Sequence, residues 1–206
     1  MRRATERAGR GVRGRALAAV GLAATLGLLV ACGPAQQTQD VTDQGYQSGD
    51  GSTKTWPAGD RKGPVELAGT DFEGTSQDIA DWRGDVVVVN TWYAACPPCR
   101  AEAPDLAALA NDYADQGVHL IGVNGTDAAG AAQSFQERFE VPYPTIADQD
   151  GAAIAALQGV VPMQATPSTV VLDREGKVAA TVIGLADPTT LRAIVDDVLA
   201  EPPATP

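Results

Sequence analysis

Residues 90–100 read Asn90-Thr91-Trp92-Tyr93-Ala94-Ala95-Cys96-Pro97-Pro98-Cys99-Arg100, and they continue a run that begins Asp85-Val86-Val87-Val88-Val89. A near-continuous β-branched run is the pattern of a strand covered on both faces, so this one is expected at the centre of a sheet. Past the cysteines, Ala103, Leu106, Leu109, Ala110 and Tyr113 recur at helical spacing, and Gly117 closes the segment. The Cys-x-x-Cys pair thus sits where a central strand hands over to a helix.

Such a pair can be a staple, a metal clamp or a redox switch. As a staple it is weak: in the chain-entropy model a four-residue loop contributes about 1.9 kcal/mol, against about 4 for one of about 60 residues. A structural zinc site needs four ligands, and the pair supplies only two. The only histidine, His119, falls inside the expected strand Val118–Val123, where it reads as a strand residue without a chemical role, and no second Cys-x-x-Cys exists. The redox reading uses what is present. Two sulfurs three residues apart in a first helical turn can bridge, and the helix dipole favours a thiolate on the first by about 0.3–1 kcal/mol. Cys96 is then the nucleophile. Cys99, one turn further in and less accessible, is the resolving thiol.

The chain has 206 residues, 44% hydrophobic and 20% charged, enough for one domain with extensions. Its net charge of -11 is uneven, because the first 31 residues hold six arginines and one glutamate. The remainder carries -16, the difference between -11 and +5. A domain of that acidity repels nucleic acid, which excludes it as a partner of the folded part.

The cationic start is followed by an uncharged apolar run from Ala16 to Val30. As a helix it would span about 22 Å, short of the roughly 30 Å of a bilayer core, so residues 1–31 are expected to be a secretory signal. Leu29-Val30-Ala31-Cys32-Gly33 resembles the lipobox of bacterial lipoproteins, with Cys32 as the lipid attachment site. Export removes the chain from the cytoplasmic thiol pools, and lipid on Cys32 leaves Cys96 and Cys99 with only each other.

Residues 32–60 are polar with scattered Gly and Pro and read as a flexible tether. The folded domain is expected over 61–200, with 201–206 as a disordered tail. Val65–Ala68 and Asp71–Thr75 suggest a hairpin around Ala68-Gly69-Thr70, followed by a helical turn near Ile79–Trp82. Further helices are expected at 128–140 and 151–157, a strand at 143–147, and a hairpin joining 168–173 to 177–183. Asp187-Pro188 opens a last helix, the aspartate able to cap and the proline suited to the first position. This order calls for a mixed sheet covered by helices on both faces.

These residues resemble the thioredoxin superfamily, above all the membrane-tethered TlpA and ResA-like thiol-disulfide oxidoreductases. The likeness runs from about Gly63 to Leu199 and rests on the strand into Trp92, on Trp92-Tyr93-Ala94-Ala95-Cys96-Pro97-Pro98-Cys99, and on Ala165-Thr166-Pro167-Ser168. It implies an α/β thioredoxin-like fold, a central mixed sheet flanked by helices with an N-terminal β-hairpin extension. It also implies a cis bond before Pro167, opposite the disulfide, with the Thr166 backbone pairing a substrate segment and Trp92 and Tyr93 bordering the site. Pro104 corresponds to the helix-kinking proline of thioredoxins.

Where thioredoxin has a buried aspartate on the central strand, this chain has Asn90, which cannot accept a proton. Glu102, one turn after Cys99, matches a glutamate of ResA-like proteins and is the candidate to manage the Cys99 proton. Pro98 lacks an N–H, so a capping Cys96 sulfur can draw only on the Cys99 donor, which favours a reducing role. The expected protein is a monomer, lipid-anchored through Cys32 outside the cytoplasmic membrane, with no cofactor beyond the Cys96–Cys99 disulfide and no metal. Its partners would be a membrane thiol reductant and exported disulfide-bearing proteins, apocytochrome c among them. Two rivals remain. A peroxiredoxin would resemble its kin in a threonine or serine where Tyr93 stands, and a non-enzymatic lipoprotein would handle metal or haem through the same pair.

Overall fold

Val86–Thr91 is one of the two innermost strands, as its β-branched run requires. In the computed structural model residues 48, 50, 52–162 and 165–202 are described. In chain order the elements are β1 (Thr53–Thr55), β2 (Ala68–Thr70), β3 (Ser76–Asp78), β4 (Val86–Thr91), α1 (Pro97–Tyr113), β5 (Val118–Asn124) and α2 (Ala129–Arg138). There follow β6 (Thr145–Ala147), α3 (Ala152–Ala156), β7 (Ser168–Leu172), β8 (Val178–Ile183) and α4 (Pro188–Ala200). The expected signal segment 1–31, Cys32 and most of the expected tether lie outside the described residues.

Among the described residues six strands form one sheet in the order β1-β8-β7-β4-β5-β6. β4 runs parallel to β5 and antiparallel to β7, so the sheet is mixed. Side chains alternate across it. Val86 and Val88 face Leu106 and Leu109 of α1 and Leu191 and Val195 of α4, while Val87 and Val89 face Ile79, Ile121, Leu157 and Val170. All four valines are at most 1% exposed. This is the thioredoxin-like arrangement, and β2 and β3 form the N-terminal hairpin beside it.

The structure corrects three expectations. The hairpin is shifted: Ala68–Thr70, expected as the turn, is a strand, and Asp71–Thr75, expected as a strand, is the turn. The Asp71 carboxylate decides this, since Oδ1 accepts the N–H groups of Glu73 and Thr75 at 3.0 and 2.7 Å, and Gly74 takes φ +87°. The expected tether also ends too late, because Thr53–Thr55 pairs with Val182–Ala180 on β8. At the other end, Glu201 was expected in a disordered tail. It is held by the guanidinium of Arg61, a residue with a side chain only 4% exposed. Arg174 binds the carbonyls of Val198, Leu199 and Glu201 and so caps α4.

His119 lies on β5 opposite Val87, with its ring stacked 4.7 Å from that of Trp82 and Nε2 2.9 Å from an Asp85 oxygen. That register position is four residues down the sheet from Thr91, about 13 Å from the cysteine end. It cannot join the cysteines as a ligand. Among the described residues no helix is long and apolar enough to cross a membrane.

Candidate active site

The carboxyl end of β4 delivers the chain into a tight turn, in which the Cys96 N–H donates to the Tyr93 carbonyl at 3.1 Å. Cys96 is the N-cap of α1, and its sulfur accepts the Cys99 N–H at 3.2 Å. Pro97 and Pro98 occupy the first helical positions, which need no intrahelical donor, so Cys99 supplies the cap as its spacing predicts. Cys96 and Cys99 are joined as a disulfide with Cα atoms 5.3 Å apart.

Accessibility does not separate the two sulfurs as expected, because both cysteines are 1% exposed. What separates them is position. Cys96 ends the loop and caps the helix, whereas Cys99 lines a small internal cleft with Asn90, Ala103, Leu106 and Tyr143. Trp92 was expected to border the surface, and the structure instead buries it to 4% exposure, stacked on Phe135 of α2 with ring centroids 4.2 Å apart. Its indole nitrogen fits against Gly122, where any Cβ would collide with it. Trp92 supports the disulfide from beneath, and Tyr93 packs partly buried against the same cluster.

The Thr166–Pro167 peptide is cis, as the resemblance implies. The next residue, Ser168, pairs with Thr91, and its N–H donates to Thr91 Oγ1 at 2.9 Å. Pro167 therefore sits at the end of β4 from which the cysteines emerge, with Thr166 exposed beside it.

Glu102 is where sequence and structure meet most closely. It is 2% exposed, with Oε1 accepting from Asn90 Nδ2 at 2.9 Å and Oε2 from the Ala186 N–H at 3.1 Å. Asn90 Nδ2 also donates to Thr169 Oγ1 at 3.1 Å. Burial pushes the carboxyl up to about 7, and the Ala186 and Asn90 hydrogen bonds only partly oppose it. The residue replacing thioredoxin's aspartate thus holds the acid that the helix supplies. Glu102 follows Cys99 by one turn of α1.

Sequence reasoning missed two neighbours. Tyr143 lies 8% exposed in the cleft beside Cys99, its phenol raised by burial and then by the charge of Glu102. Asp127 reaches the loop before Cys96, accepting the Ala94 N–H at 2.6 Å. The signal for it was legible as Asn124-Gly125-Thr126-Asp127, a side-chain-stabilised turn after a strand. Among the described residues no group of three or more His, Cys, Asp or Glu is placed to hold a metal ion.

Comparison with known proteins agrees with this geometry. The model of the Redoxin family matches residues 55–199. A thiol-disulfide oxidoreductase ResA from Halalkalibacterium halodurans is 31% identical over 108 residues, covering 52% of this chain and 59% of that protein. One from Geobacillus thermodenitrificans is 33% identical over 115 residues, covering 56% and 64%. The chain thus spans less than two thirds of the curated relatives it matches. Among solved structures, a secreted thiol-disulfide isomerase from Corynebacterium glutamicum superposes with a TM-score of 0.66 at 26% identity, covering 76% of this chain and 97% of that one.

Proposed function

The chain belongs to the Redoxin family, and from that premise we propose that it is an exported thiol-disulfide oxidoreductase that reduces protein disulfides through Cys96 and Cys99. The observation that carries this reading is the Cys96–Cys99 disulfide at the N-terminus of α1, backed by the buried Glu102. In the reduced protein the Cys96 thiolate attacks one sulfur of a substrate disulfide and displaces the other as a thiolate, which takes up a proton. Cys99 then gives its proton to Glu102 and attacks Cys96 in the mixed disulfide. Two electrons have passed to the substrate, whose second thiolate takes up the proton that Glu102 releases so that it leaves as a dithiol, and the Cys96–Cys99 disulfide is restored. No cofactor takes part.

The direction is reducing. Pro98 supplies no N–H to the capping sulfur, so the reduced Cys96 thiolate is less stabilised than in a helix without that proline. A measured potential near about -120 mV, that of a strong oxidant, would contradict this.

In this proposal the protein is a monomer tethered by lipid on Cys32 to the outer face of the cytoplasmic membrane. A membrane thiol carrier recharges it, and apocytochrome c is one substrate. The experiment is a trap. Replacing Cys99→Ala removes the resolving thiol, so a membrane fraction is expected to accumulate protein linked through Cys96. If no mixed disulfide forms under oxidising conditions, the exchange mechanism fails.

A further inference from the structure

The turn that presents Cys96 has unusual supports. In the oxidised state the disulfide itself fixes Cys96 to α1. Once that bond opens, Cys96 is held by hydrogen bonds alone, its N–H donating to the Tyr93 carbonyl and its carbonyl accepting the Arg100 N–H at 3.1 Å each, and Pro97 and Pro98 bring no N–H to the first helical turn. Upstream, both polar backbone atoms of Ala94 are gripped by side chains. Its N–H donates to Asp127 Oδ2 at 2.6 Å, and its carbonyl accepts from Arg100 Nη1 at 3.1 Å.

Each grip is itself anchored. Asn124, fully buried at the end of β5, donates from Nδ2 to the same Asp127 oxygen at 2.8 Å. Its Oδ1 accepts the N–H groups of Thr126 and Asp127 at 3.0 Å each. Gln149 Nε2 holds the Asp127 carbonyl at 3.1 Å. On the helix side, the Arg100 guanidinium lies 5.3 Å from the Phe139 ring centroid. A continuous line of hydrogen bonds therefore runs from the sheet, through Asn124 and Asp127, to the loop two residues before the cysteine.

We propose that Asp127 is a positioning residue for thiol-disulfide exchange: by holding the Ala94 N–H, it keeps the Tyr93–Cys96 turn, and so the Cys96 sulfur, at the amino end of α1 after the disulfide opens. The inference rests on the exchange function proposed above. Its chemical consequence is that the thiolate keeps the stabilisation of the helix terminus, which acts only over the first turn. The charge of Asp127 works the other way, since a carboxylate near a thiol disfavours its ionisation. Charge and anchor must be tested separately.

Two substitutions separate them, because Asp127→Asn and Asp127→Ala both remove the charge while only Asp127→Ala removes the acceptor for Ala94. In the full chain carrying Cys99→Ala, the pH profile of iodoacetamide alkylation is followed on the Cys96 peptide by mass spectrometry. The Asp127→Ala midpoint is expected about half a pH unit above that of Asp127→Asn, the scale of a helix-terminus effect. With Cys99 retained, exchange with a peptide disulfide at neutral pH is expected to be about threefold slower in Asp127→Ala than in Asp127→Asn, matching the lost thiolate fraction. Coincident midpoints in the two variants would overturn the proposal.

Should Asp127→Ala fail to fold, hydrogen exchange in the unsubstituted protein serves the same end. Protection of the Ala94 amide is expected to survive reduction, and its loss on reduction would overturn the proposal. If instead the unsubstituted protein reduces no peptide disulfide, the exchange function fails while the alkylation midpoints still report the anchor.

Discussion

Glu102 and Asp173 are both buried carboxylates, 2% and 8% exposed, placed toward opposite ends of β7. Glu102 meets only neutral donors, the amide of Asn90 and the N–H of Ala186, and burial carries it up to about 7. Asp173 accepts the N–H groups of Glu175 and Lys177 at 2.9 Å and also receives Arg61 Nη1 at 3.1 Å. Burial opposes the Arg61 charge, but hydrogen bonds to Glu201 and Asp173 outweigh it and hold the guanidinium above its ordinary value. The partners therefore set the difference. The carboxyl among neutral donors is pushed up by burial, while the one facing a guanidinium is ion-paired at 3.1 Å and fastens the chain.

The comparison breaks most visibly at Arg61. Arg61→Met leaves Asp173 buried without its cation and frees Glu201, and the expected loss is about 4 kcal/mol. Urea unfolding at pH 7 measures it, and a midpoint equal to that of the unsubstituted protein would show that the pair does not clasp the termini.

Glu102→Gln is expected to change a slope rather than an offset. The folded carboxyl, at about 7, holds its proton more tightly than the unfolded one at 4.5, so protonation favours folding. That contribution is complete below about pH 4.5 and is lost as pH rises through about 7, a change of about 3 kcal/mol. Stability measured across this window should fall in the unsubstituted protein. In Glu102→Gln this component of the fall should be absent, and an unchanged slope would mean that Glu102 does not titrate there. The same variant should slow resolution of the mixed disulfide by about a hundredfold, the lower range for a lost general acid-base.

How far the sequence discloses this molecule depends on where the deciding partner lies. β4 and α1 are legible because four consecutive valines and a helical apolar stripe carry their own burial pattern. The strand Thr53–Thr55 has no such pattern, and it forms through pairing with Val182 and Ala180, over 120 residues away. The turn at Asp71 was misread because one carboxylate, rather than an apolar pattern, sets the register. In the site, the cysteines are legible by spacing, and Glu102 and Pro167 by resemblance. The burial of Trp92 is not, because Phe135 comes from a helix whose docking no local pattern encodes. The same holds for the height of the Glu102 pKa, which comes from tertiary burial that the hydrogen bonds of Ala186 and Asn90 only partly oppose.

The central claim is that a buried acid poised near neutrality serves the Cys96–Cys99 pair. Carbon-13 NMR of the Glu102 side-chain carboxyl in the oxidised protein, followed through pH with Glu102→Gln to assign the resonance, tests it most directly. A midpoint of about 7 is expected. A midpoint near the ordinary 4.5 would contradict the account, because so weak a base would not take the Cys99 proton near neutral pH.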